Sequence, residues 1–122
     1  MELVPQTLDR TQALAAVGGD TRFLAELAGL LEAACPTLLN DIETALARGD
    51  LPAVGWSARL VRVAAENIQA RNVADVALLL ENLARDKQPR AASAAYRRLQ
   101  TEVVRLKPVL ADLKGEATRF VC

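Results

Sequence analysis

Apolar residues recur at spacings of three and four along four stretches of this chain, and that period fits a helix and not a strand. The longest stripe is Phe23, Leu27, Leu30, Leu31, Ala34, Leu38, Ile42, Ala45 and Leu46. A second stretch runs from about Leu51 to Ile68. A third, from about Val73 to Arg85, carries Val76, Leu79, Leu80 and Leu83. The last, from about Arg90 to Lys114, carries Ala95, Leu99, Val103, Leu106, Val109, Leu110 and Leu113. No segment alternates apolar and polar with period two for long enough to suggest a strand.

The breaks between stripes carry the chemistry of helix ends. Asp9 is placed to cap a short helix over 10–17, which Gly18-Gly19 terminates. Asp20 or Thr21 caps the long helix, with Pro36 expected to bend or locally break it. Arg48-Gly49-Asp50 stops that helix and starts the next, with Pro52 in its first turn. Gln69 to Asn72 is a short connection, and Asp86-Lys87-Gln88-Pro89 a polar loop. Pro108 is placed to kink the last helix, and Gly115 to end it. The expectation is an all-α, up-down-up-down four-helix bundle over 8–114, with a short extra N-terminal helix as a lid and short tails at 1–7 and 115–122.

At 122 residues the chain is one domain by length. Hydrophobic residues make up 52% of it and aromatics only 3%, so its core must be built from Leu, Val and Ala. Lys+Arg and Asp+Glu are both 15, a balance that calls for neither nucleic acid nor an anionic membrane as partner. Cys35 falls inside an apolar stripe and reads as a small buried thiol. With no secretory signal and no apolar run near 18 residues, the reading is a cytoplasmic, reduced protein. The chain has no histidine and no Cys-x-x-Cys pair, which leaves no ligand set for zinc. No cofactor motif is present: there is no glycine-rich phosphate loop, no Gly-x-Ser-x-Gly and no Cys/His pair.

The segment from Trp56 to Ala70 resembles the Ala-His-x-Leu-Lys-Gly…Leu-Gly-Ala signature of histidine-containing phosphotransfer domains. Gly18-Gly19-Asp20 with Phe23 is similar to that family's Gly-Asp opening. Ala45-Leu46-Ala47-Arg48-Gly49-Asp50-Leu51 is similar to its link into the reactive helix, and Leu80-Glu81 to a Leu-Glu pair on its third helix. The resemblance spans about Leu8 to Leu113. It implies a phosphorelay bundle that docks a response-regulator receiver domain or a sensor histidine kinase.

The departures from that pattern fall in one place. Ala58 stands where the resemblance implies the phospho-accepting histidine, Val61 where it implies a lysine, and Arg62 where it implies a glycine. Nucleophile, positive charge and clearance are lost together, so the resemblance is to a degenerate, non-catalytic member. Loss of all three matches a lineage released from catalysis better than a single deliberate His→Ala replacement.

If Ala58 lies on the exposed face of its helix, Val54, Val61 and Ala65 share that face, with Arg59 and Arg62 at its edge, while Ser57, Leu60 and Ala64 point inward. These six residues, Val54, Ala58, Arg59, Val61, Arg62 and Ala65, form the expected partner-binding surface, an apolar centre with an arginine rim. The alternative is a homodimer in which that face pairs with its own copy. A third reading treats these apolar residues as core edge and the arginines as solvated rim. Trp56, the one tryptophan, is expected to pack under the short N-terminal helix.

Overall fold

The structure, a computed structural model, describes residues 8–119 and the side chains of residues 8–115. Five helices account for nearly all of that span: α1 (Arg10–Ala16), α2 (Thr21–Arg48), α3 (Leu51–Asn67), α4 (Arg71–Arg85) and α5 (Pro89–Arg119). No strand occurs among the described residues.

Three aspartates start three of these helices as expected. The Asp9 carboxylate accepts from the Gln12 N–H at 3.1 Å, Asp20 from Phe23 at 3.0 Å, and Asp50 from Ala53 at 3.2 Å. Each such cap is worth about 1 kcal/mol. α4 begins at Ala70 with no side-chain cap, and α5 begins on Pro89, whose missing N–H is one the first turn leaves unpaired in any case.

Helix ends close in the left-handed conformation. Gly19 and Gly49 take it at φ 81° and 71°, where glycine has no steric penalty. Gln69 and Lys87 take it as well, at φ 62° and 57°. At both, the backbone forms the paired bonds of a Schellman motif. The Ala70 N–H reaches the Ala65 carbonyl at 2.9 Å, and the Gln88 N–H reaches the Leu83 carbonyl at 3.0 Å.

α2 packs against α3 and α5, and α4 packs against the same two helices; α1 packs on α2. Between them lies a core of Leu24, Leu31, Ile42, Val54, Val61, Ile68, Leu80, Leu99, Leu106 and Leu110, with alanines filling the close approaches. Tyr96 is the one buried aromatic among the described residues, and its hydroxyl donates to the Leu39 carbonyl at 3.0 Å, which ties α5 to α2. The Lys114–Glu32 ion pair joins the same helices further along, so they run antiparallel.

α2 and α5 continue through Pro36 and Pro108 as single helices, as the unbroken stripes predict, because each stripe stays in register with the core on both sides of the proline. Three expectations are corrected. α5 also continues through Gly115 to Arg119, so 115–119 is not a loose tail; residues 1–7 and 120–122 lie outside the described residues. Phe23 and Leu30, assigned to the long stripe, are exposed, and Leu24 and Ala28 take the inward positions. Finally, α2 is long and apolar enough, by length and composition, to cross a membrane. Its buried face, from Leu24 to Ala45, packs against α3 and α5, the use a core helix makes of such a composition.

Candidate functional site

α3 presents its faces the other way round from the expected surface. Val54, Ala58, Val61 and Ala65 are each 0% exposed. They form the inward stripe of α3, at spacings of four, three and four, continued by Ile68. The physical reason is size. These small side chains let α3 approach α2 and α4 closely, whereas Trp56 and Leu60 on the inside would hold the helices apart. Ala58 is therefore a packing residue, and neither it nor its three companions can touch a partner in the folded chain. Of the residues expected to point inward, Ser57 is buried, Ala64 half-buried and Leu60 exposed.

The outward stripe is Trp56, Leu60 and Val63, at 62%, 39% and 43% exposure. It too follows the four-three spacing of one helix face. Trp56 does not pack under α1. It stands at the start of α3 and borders a groove between α3 and α4. Sequence periodicity missed this stripe because both sides of α3 are apolar. The signal available was bulk: the largest apolar side chains of the helix recur at 56 and 60, opposite a run of Val and Ala.

The two arginines of the expected surface have separate fates. Arg62 is half-buried and bridges helices. Its Nε donates to the Glu81 carboxylate of α4 at 2.7 Å, and its Nη1 to Glu66, one turn along α3, at 3.3 Å. The hydrogen bond donated to Glu81 raises the guanidinium's pKa above its already high ordinary value; partial desolvation opposes this, and the hydrogen bond to Glu66 and the negative charges of both glutamates add to it. Arg59 is exposed, and its side chain has no carboxylate partner among the described residues.

The groove beside Trp56 and Arg59 has a volume of ≈ 770 Å³. It lies at the end of the molecule where the α2–α3 and α4–α5 connections meet, since Gly49 and Lys87 both border it. Its less exposed lining is Leu51, Gly55 and Ala84; Pro52, Arg85 and Pro89 are exposed along it. The two helices come close at Gly55, where an added methyl group would meet the Ala84 Cβ at 3.6 Å in ordinary van der Waals contact. The whole lining is helix, helix start or Schellman turn, so the groove is preformed.

Cys35 is buried in α2, and desolvation pushes its thiol pKa up, with a smaller opposing pull from Lys107. A protonated thiol in the core is not a nucleophile. No group of three or more His, Cys, Asp or Glu able to hold a metal ion occurs among the described residues. Compared with protein-family models, with curated proteins and with solved structures, the chain matches none.

Proposed function

We propose that this chain is a non-catalytic docking module of a cytoplasmic phosphorelay. In this reading it is a degenerate relative of histidine-containing phosphotransfer domains, with α2 to α5 as an up-down-up-down four-helix bundle. It would bind a receiver domain or a sensor histidine kinase through the outward face of α3. The observation that carries the reading is the Trp56–Leu60–Val63 stripe, three large apolar side chains that stay 39–62% exposed on one face, with Arg59, which has no carboxylate partner among the described residues, beside them. An aromatic anchor with an arginine is the composition that concentrates binding energy at protein interfaces. The order of motifs along the chain supplies the family, and the absence of histidine supplies the loss of phosphoryl transfer.

The docking face thus moves about half a turn around α3 from the buried Ala58 stripe to the exposed one. The test is light scattering of the chain alone and with receiver and kinase domains. A one-to-one complex that Leu60→Glu and Val63→Glu abolish, with unchanged thermal melts, supports the reading. No complex at high micromolar concentration removes it. A dimer of the chain alone, split by the same two substitutions, would make the stripe a self-association surface instead.

A further inference from the structure

The groove beside Trp56 has a charge that the outward stripe lacks. Arg59, Arg85 and Lys87 border it, and the one carboxylate among its lining residues, Glu81, is already held by Arg62 at 2.7 Å. Arg85 reaches Asp86 at 3.6 Å, a pair exposed on both sides. Arg59 and Lys87 have no acidic partner among the described residues. Two cations without counterions therefore flank an exposed indole over an apolar lining.

Lys87 adds an independent observation. It occupies the left-handed position that closes α4, at φ 57°, where the equivalent positions after α1 and α2 hold glycine and the one after α3 holds Gln69. A side chain there carries a steric penalty that glycine escapes. The strained backbone places the lysine at the groove, where its ammonium has no acidic partner among the described residues.

We propose that this groove binds an acidic, extended peptide segment of a partner protein, with carboxylates on Arg59 and Lys87 and an apolar side chain against the Trp56 indole. The inference rests on the reading of the chain as a non-catalytic docking module and names the chemistry that its partner presents. At ≈ 770 Å³ the groove has the size of a ligand site, yet it is partly open to solvent. Small ligands usually bury most of their surface in closed pockets, whereas an open groove suits a segment tethered to a larger body. Its preformed lining keeps the ordering cost of binding low. Opposite charge along the rim speeds encounter and rejects basic segments.

Trp56 is the sole tryptophan, so its emission reports occupancy of this groove directly. A displayed library of random peptides is selected on the intact chain, and the enriched peptides are titrated while Trp56 emission is followed. Enrichment of Asp and Glu beside one aromatic or leucine is expected, with a saturable spectral shift. Arg59→Glu and Lys87→Glu should each weaken binding about tenfold, and added salt should weaken it further. Lys87→Gly should weaken binding while raising the melting temperature, a combination that a purely structural lysine would not produce. Selection of neutral or basic peptides, indifference to both charge reversals, or no peptide that shifts Trp56 emission would each overturn the proposal. A receiver complex lost with Leu60→Glu but untouched by the charge reversals would overturn the groove alone. Acidic peptides bound without any receiver or kinase complex would leave the groove standing and remove the phosphorelay partner.

Discussion

α3 and α5 draw on much the same aliphatic stock, yet only one of them declares its inner face. α5 sets Arg97, Arg98, Arg105, Lys107 and Asp112 on the outside, and its stripe from Ala95 to Leu113 lies in the core as the spacing predicts. α3 has fewer charges, and apolar residues occupy both of its sides. Val54–Ala58–Val61–Ala65 and Trp56–Leu60–Val63 are each valid helical stripes, and only the first is buried. Where charge excludes one face from the core, periodicity decides; where it does not, the tighter packing of small residues decides.

The sharpest way to break this comparison is to place a charge on each side of α3. Ala58→Asp puts an unpaired carboxylate in the core and should destabilise by about 3–5 kcal/mol in urea melts, enough to threaten folding. Leu60→Asp, half a turn away on the outward side, should change stability by less than about 1 kcal/mol. A larger effect at Leu60 than at Ala58 would mean that α3 is turned the other way. The same contrast on α5 is a truncation. Leu99→Ala should cost about 2–5 kcal/mol through the cavity it leaves, and exposed Val104→Ala less than about 0.5 kcal/mol.

The difference between the two helices also explains what the sequence made legible. The helical class, all five helices, the three aspartate caps and the glycine stops at Gly18-Gly19 and Gly49 follow from local rules, and the structure agrees with them to within a few residues. Continuation through Pro36 and Pro108 was legible in stripes that keep their period across each proline; continuation through Gly115 was not, because glycine weighs against a helix locally. The expected surface failed for a related reason. The resemblance assigned Ala58 to an exposed face, and nothing in the polarity of α3 opposed that assignment. Arg59 kept its exposed place; Arg62 became an inter-helix bridge because Glu81, on another helix, lies within reach. Trp56, expected under α1, stands exposed at the groove instead, and nothing in the local pattern of α3 separates those two places.

A smaller effect separates the two ends of the molecule. Gln69 and Lys87 hold left-handed positions at opposite ends of α4, one closing α3 and the other beside the groove. Gln69→Gly and Lys87→Gly should each stabilise by up to about 1 kcal/mol, the relief at φ > 0 offset in part by the freer unfolded chain. Thermal melts check both. Only Lys87→Gly should alter acidic-peptide binding; if Gln69→Gly altered it equally, the charge of Lys87 would have no special part.

The smallest effect is a pH slope that reads how far the charged margin of α5 reaches inward. Burial raises the Cys35 pKa, and Lys107 on α5 partly offsets that rise. The thiol therefore binds its proton more tightly in the folded chain than in the unfolded one. Its contribution is fully present below the unfolded value, about 8.5, and is lost as pH rises through the higher folded value. Cys35→Ala should flatten this alkaline loss in urea melts from pH 8 to 10. Buried Tyr96, whose pKa is also raised by desolvation, contributes at the upper end of the range in both proteins and cancels in the comparison. Lys107→Gln removes the offsetting charge, raises the folded thiol pKa further and should steepen the loss. A slope unchanged by Lys107→Gln would confine the charge of α5 to its outer face, and the contrast with α3 would then rest on exclusion from the core alone.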